Sequence, residues 1–192
     1  MPKRTLYLII VLFLTALGLM FIAQLTPYPK TPQPNIVAIP TPDVAQTALL
    51  FDEISMSTSS AKPLYSLPII IQTGKNLVTG VQLELSYDPE IITNVSIQQG
   101  TFFLKPVVLL NNIDKENGRI SYALGINPQD SGKKGEDIVA TLTFKTNVLS
   151  PTATTISFLP KTLVTAEGVE QSVLKSTLPT QFIVGQNVRY TK

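Results

Sequence analysis

The chain of 192 residues has no histidine, no cysteine and no tryptophan. Without thiolates and imidazoles the usual kind of zinc site cannot be built, and neither can a Cys nucleophile or a His general base. The lack of Cys also rules out disulfides, so the hydrophobic core must hold the fold without covalent help. It rules out a lipid anchor carried on Cys as well. Charge is sparse: Lys and Arg number 15 against 13 Asp and Glu, for a net charge of +2. The basic residues are scattered, with no Arg-rich stripe among aromatics, so nucleic acid is not expected as a partner. A Gly-framed nucleophile of the G-x-S-x-G kind is missing too.

What the chain does have begins with "MPKRTLYLIIVLFLTALGLMFIAQL", in which Lys3 and Arg4 are followed by no charge through Leu25. As a helix, residues 6–25 would extend about 30 Å, close to the hydrocarbon thickness of a bilayer. A cleaved signal peptide has an apolar region of only about 7–15 residues, followed by an A-x-A-like site. Here the run is longer, Ala16 and Gly18 fall too early, and Phe21 stands where a site ending at Ala23 needs a small residue. An uncleaved signal anchor over residues 1–25 is expected, its residues 6–25 crossing the lipid bilayer. Cleavage and secretion is the alternative. Lys3 and Arg4 hold the N-terminus in the cytoplasm and send the remainder outside the cell.

Residues 26–47, "TPYPKTPQPNIVAIPTPDVAQT", carry Pro27, Pro29, Pro32, Pro34, Pro40 and Pro42. Fixed φ angles and missing amide donors favour an extended polyproline linker. From Pro27 to Pro42 it would reach roughly 50 Å at full extension.

From Ala48 onward the apolar period becomes two. In "VQLELSYD", Val81, Leu83, Leu85 and Tyr87 share one face, while Gln82, Glu84 and Ser86 share the other. "RISYALGIN" turns Ile120, Tyr122, Leu124 and Ile126 inward, and "DIVATLTFKT" does so with Ile138, Ala140, Leu142 and Phe144. This is the pattern of strands with one buried and one wetted face. Turn residues at 73–76, 116–118, 127–137 and 166–168 separate the strands. About nine short strands punctuated in this way predict an all-β, antiparallel two-sheet sandwich, with a small closed barrel as the alternative. The strand "VQLELSYDPEII" ends at Asp88-Pro89, where Asp88 is expected to cap a short turn and Pro89 cannot donate to a ladder.

The stretch "GVQLELSYDPEIITNVSIQQGTFF" resembles the early core of cohesin domains, in which a strand ending in Tyr-Asp-Pro precedes an aliphatic pair, a short strand and a Gly. "GRISYALGIN" followed by "EDIVATLTFKT" resembles the family's next strand pair, and "TLVTAEGVEQ" is similar to its late turn. The resemblance runs over roughly residues 48–186, with 187–192 as a C-terminal tail. It implies a nine-stranded jelly-roll sandwich that binds dockerin modules at the cell surface. The family's binding face maps here onto Gln82, Glu84, Ser86, Ser121, Ala123 and Gly125, a small and polar set without an aromatic or Arg anchor.

Other chemistries rest on fewer residues. A glycosidase would need two carboxylates at a set separation, and Glu84, Asp88 and Glu90 lie close along the chain. Strand edges and caps account for them better, so no catalytic residue is assigned. Polysaccharide binding would need exposed aromatics; only Tyr65, Phe102 and Phe103 have no clear facing. Asp114, Glu116 and Asn117 resemble the start of a calcium loop, but no bidentate acid follows at the required spacing. A hairpin turn using Asn117-Gly118 is the stronger reading, and no metal or cofactor is assigned. Lys133 and Lys134, flanked by Gly132 and Gly135, read as a solvated loop tip, and "NVS" at 94–96 fits a glycosylation sequon.

Overall fold

A computed structural model describes residues 3, 4, 7, 11–17, 44–57 and 63–185. Residues 11–17 are helical, with Leu12, Phe13 and Leu14 exposed. Among the described residues no helix is long and apolar enough to cross a membrane. Most of the span expected over 6–25, residues 26–43 of the linker expected over 26–47, and the tail over 187–192 lie outside the described residues, and Thr47 at the linker's end already belongs to the first strand.

Among the described residues the domain has twelve strands: β1 (Thr47–Phe51), β2 (Ser55–Ser57), β3 (Leu64–Gln72), β4 (Val78–Ser86), β5 (Ile92–Gln99), β6 (Val107–Asp114), β7 (Arg119–Gly125), β8 (Glu136–Thr146), β9 (Thr152–Phe158), β10 (Leu163–Ala166), β11 (Leu174–Leu178) and β12 (Thr180–Val184). One sheet runs β11-β1-β3-β8-β5, with β2 beside β3. The other runs β12-β9-β4-β7-β6, with β10 beside β4. Every pairing is antiparallel except β1 with β11.

The two sheets enclose one core. Leu67, Ile69, Ile71, Leu142 and Phe144 come from the first sheet, and Leu83, Leu85, Ile120, Tyr122 and Leu124 from the second; all are buried. Each such aliphatic side chain contributes roughly 1.5–3 kcal/mol by leaving water, which is how a chain without disulfides holds together. The inward faces expected of β4 and β7 are observed, although Ile126 is only half-buried.

Three expectations change. The strand count rises from about nine to twelve, in part because the stretch from Thr47 to Ser57 forms two strands, β1 and β2, and because β11 gave no alternating signal. As β11 pairs parallel to β1 at a sheet edge, it has little apolar mass to bury. In β8, Val139 is buried where Ile138 was expected, because a register shift opposite Ile69 and Ile70 moves the inward position by one residue. Lys133 is not at a solvated tip: it bridges to Val78, pairs with Asp137 at 3.5 Å and lies 5.0 Å over the Phe102 ring.

The Asp-Pro that ends β4 behaves as expected. The Asp88 side chain accepts from the Glu90 amide at 2.9 Å, and its carbonyl accepts from the Ile92 amide at 2.9 Å. The turn brings Ile92 into the core. Beyond the strand end, the Tyr87 amide donates to the Gly118 carbonyl. Burial, and then the Asp114 charge, push the Tyr87 hydroxyl above its ordinary value.

Candidate functional site: the outer face of the second sheet

Register decides which residues share the outer face. Gln82 stands opposite Ala123, Glu84 opposite Ser121, and Gly80 opposite Gly125. On the far side of β7, Leu110 pairs with Ala123 and Asn112 with Ser121. On the far side of β4, Leu163 pairs with Gln82 and Thr165 with Gly80. The outer face is therefore a surface four strands wide, with β4 and β7 at its centre.

Its middle is low because its residues are small. Gly80, Ala123 and Gly125 line a groove of about 550 Å³, walled by Leu109 on one side and Leu163 on the other, with Asp130 and Glu167 near its end. A second depression of about 470 Å³ is lined by Glu84, Ser121, Arg119 and Lys161. Of the six face residues expected, Gln82, Ala123 and Gly125 line the first depression and Glu84 and Ser121 the second. Ser86 is half-buried and lines neither, standing opposite Arg119 and Ser157 at the strand end.

Glu84 is the organised polar group of this face. Ser121 Oγ donates to its Oε2 at 2.6 Å and Gln82 Nε2 to its Oε1 at 3.0 Å. Thr162 Oγ1 accepts from the Glu84 amide at 3.1 Å and lies 3.0 Å from its carbonyl oxygen. The carboxylate is held in one place with acceptor capacity left over, which suits it to receive a donor from a partner. Asp88 is committed to its turn instead, so Glu84 and Asp88 have separate structural duties.

Sequence reasoning missed the apolar walls. Leu109 is 73% exposed and Leu110 40%. Residues 107–110 are an unbroken apolar run, yet β6 is an edge strand with, among the described residues, β7 alone beside it. A register shift between Val108 and Leu110 makes Leu109 an extra residue and directs it toward the groove. An apolar run lacking alternation was the one available signal.

The aromatics of unclear facing all turn inward. Tyr65 is 3% exposed, stacks 5.5 Å from Phe144 and accepts a hydrogen bond from the Gly185 amide. Phe102 and Phe103 are buried edge-to-face at 4.7 Å. None of them offers a flat face to a sugar. Asp114 closes its hairpin, accepting from the Glu116 and Asn117 amides and from Asn117 Nδ2. The Asn117 side-chain bond leads in holding its carboxyl below the usual range. Among the described residues no cluster of acids could hold a metal ion. Asn94 of the sequon is exposed, with φ 51° at a break in the β5 register.

The family model for the cohesin domain matches residues 66–184. No match was found among curated proteins. Among solved structures, the chain is similar to the third cohesin ScaC of Acetivibrio cellulolyticus, in complex with the ScaB dockerin. That likeness has a TM-score of 0.55 and 14% identity over 71% of this chain and 96% of the other. It is also similar to a non-cellulosomal cohesin from the archaeon Archaeoglobus fulgidus, with a TM-score of 0.53 and 11% identity over 72% and 91% of the two chains. A third likeness is to the cohesin of a Coh-OlpA–Doc918 complex from Clostridium thermocellum, with a TM-score of 0.50 and 12% identity over 69% and 96%.

Proposed function

Because the chain belongs to the cohesin domain family, we propose that it is a binding protein which receives a dockerin-type module on the outer face of β4, β7, β6 and β10 and catalyses nothing. The observation that carries this reading is the groove over Gly80, Ala123 and Gly125, walled by Leu109 and Leu163 and adjoined by the fixed Glu84 carboxylate. A protein side chain of aliphatic size fits such a depression, and Glu84 can accept a hydrogen bond from a neighbouring donor. Two of the similar cohesins were solved with dockerins bound. Burial of Tyr65, Phe102 and Phe103 speaks against direct polysaccharide recognition through stacking.

We further propose that the domain is displayed outside the cell on a membrane tether. The support is the uncharged run from Thr5 to Leu25 behind Lys3 and Arg4, together with the exposed apolar side chains of residues 11–17.

The binding test is capture by the full chain from an extract of secreted and surface proteins, with the captured proteins identified by mass spectrometry. A module with duplicated calcium loops is expected. Ala123→Arg, which fills the groove, should weaken its binding at least about a hundredfold, the scale of a central interface position. Gln82→Arg should weaken it less. Undiminished capture by Ala123→Arg would overturn the assignment of this face. Retention on insoluble polysaccharide without a protein partner would favour a carbohydrate-binding module, and turnover of any glycan would exclude a purely binding role.

A further inference from the structure

The outer edge of β6 is a second surface, distinct from the sheet face. β6 ends its sheet, and no backbone hydrogen bond to it from any strand but β7 is found among the described residues. Its amides and carbonyls on that side form an open template for another strand. Edge strands are usually protected from pairing by a charge, a proline or a β-bulge within their length; β6 has a bulge at Leu109 but, before its last residue Asp114, neither of the other two. Here Pro106 precedes the strand, and from Val107 to Ile113 there is no charge at all. Val107, Val108, Leu109 and Leu110 are each at least 40% exposed. At the far edge of the other sheet, β11 carries Lys175.

We propose that this edge pairs with β6 of a second copy of the same chain, antiparallel and about a two-fold axis near Leu109 and Leu110. Charge order along the strand selects this occupant. Lys105 stands just before β6 and Asp114 ends it, with only uncharged residues between. An antiparallel pair of identical strands brings Lys105 of each copy toward Asp114 of the other, at both ends of the interface. In a parallel arrangement like charges would meet. The apolar residues occupy the middle, so Leu109 and Leu110 of both copies gather around the axis. The two sheets then continue into one, and the two grooves lie side by side on one broad surface. The pairing uses the backbone edge of β6, whereas the groove lies on the sheet face; Leu109 belongs to both, so the cross-link at 110 and the Lys105→Glu variant, neither of which touches the groove lining, separate the dimer from what the groove binds.

The absence of cysteine makes the test clean. Leu109→Cys, Leu110→Cys and, as a control on the opposite edge, Ser176→Cys are introduced singly into the full chain in detergent and oxidised with copper phenanthroline. A cross-linked dimer is expected at position 109 or 110 and not at 176. In sedimentation equilibrium, Leu109→Lys should raise the dimer dissociation constant at least about tenfold, with the circular dichroism spectrum unchanged. Lys105→Glu should raise it roughly two- to fivefold, the range of an exposed ion pair. The N-terminal segment is present in every variant and cannot cause these differences. A monomeric wild-type chain, a dimer indifferent to Leu109→Lys, or cross-linking at 176 equal to that at 109 and 110 would each overturn the proposal.

Discussion

At the residue scale, polar side chains in this domain act mainly as clips that let a strand end or a loop close. Asp137 shows the economics of one clip. Thr101 Oγ1 donates to its Oδ1 at 2.6 Å, the Ile138 amide adds a second bond, and Lys133 adds its charge. These partners, Thr101 first, hold the Asp137 carboxyl below its ordinary value. A carboxylate depressed in the folded state stabilises the fold above its unfolded pKa. That contribution is lost as pH falls through the lower, folded pKa. Thr101→Val should therefore raise the Asp137 pKa toward the ordinary carboxylate value, as followed by side-chain NMR titration. An unchanged titration would mean that the hydroxyl does not matter. Asp88, Asp114 and Asp137 look alike as acids in a sequence; short-range patterns identified Asp88 as a cap and placed Asp114 at a hairpin turn. Asp137 was not recognisable because Thr101 is remote in sequence.

Elements in this sandwich depend on turns that tolerate few substitutions. The β6–β7 hairpin closes at residues 115–118, where Gly118 has φ 60°. A Cβ there would also collide with the Tyr87 carbonyl and approach Pro89 Cδ at 2.8 Å. Gly168, with φ 70°, has nothing within 4 Å of the same position. Gly118→Ala should thus destabilise the domain by about 2–4 kcal/mol, adding a steric clash to the backbone cost, whereas Gly168→Ala should cost only about 1 kcal/mol. Chemical denaturation of both variants measures the difference, and equal losses would show that the Tyr87 contact is unimportant. The hairpin itself is readable from Asn117-Gly118, and β4 and β7 from their alternation. β8 was misread at one position because a bulge is set by its partner strand, and β11 was missed because an edge strand needs little apolar signal.

On the scale of the whole molecule, the N-terminal run, the proline-rich linker and the sandwich are three different physical solutions in one chain. By composition the first suits hydrocarbon and the second an extended linker, and the third buries its own core. The signal-anchor reading predicts that mass spectrometry of the mature protein finds the N-terminal segment retained in the membrane fraction. A mature N-terminus near residues 24–30 would mean cleavage and release.

The sequence alone determined the class of this protein, because alternation, turn residues and the missing histidine and cysteine are local properties. A β-sandwich, its inward faces on β4 and β7, and the cohesin resemblance all follow from stretches of ten to twenty-five residues. Tertiary structure decided the site. Strand order brought Leu109 and Leu163, 54 positions apart, to opposite walls of one groove. It also made β6 an edge, and so exposed an apolar run that would be core in any central strand. Which residues face a partner depends on which strands are neighbours, and hydrogen bonding between distant segments, which no local pattern encodes, sets that order.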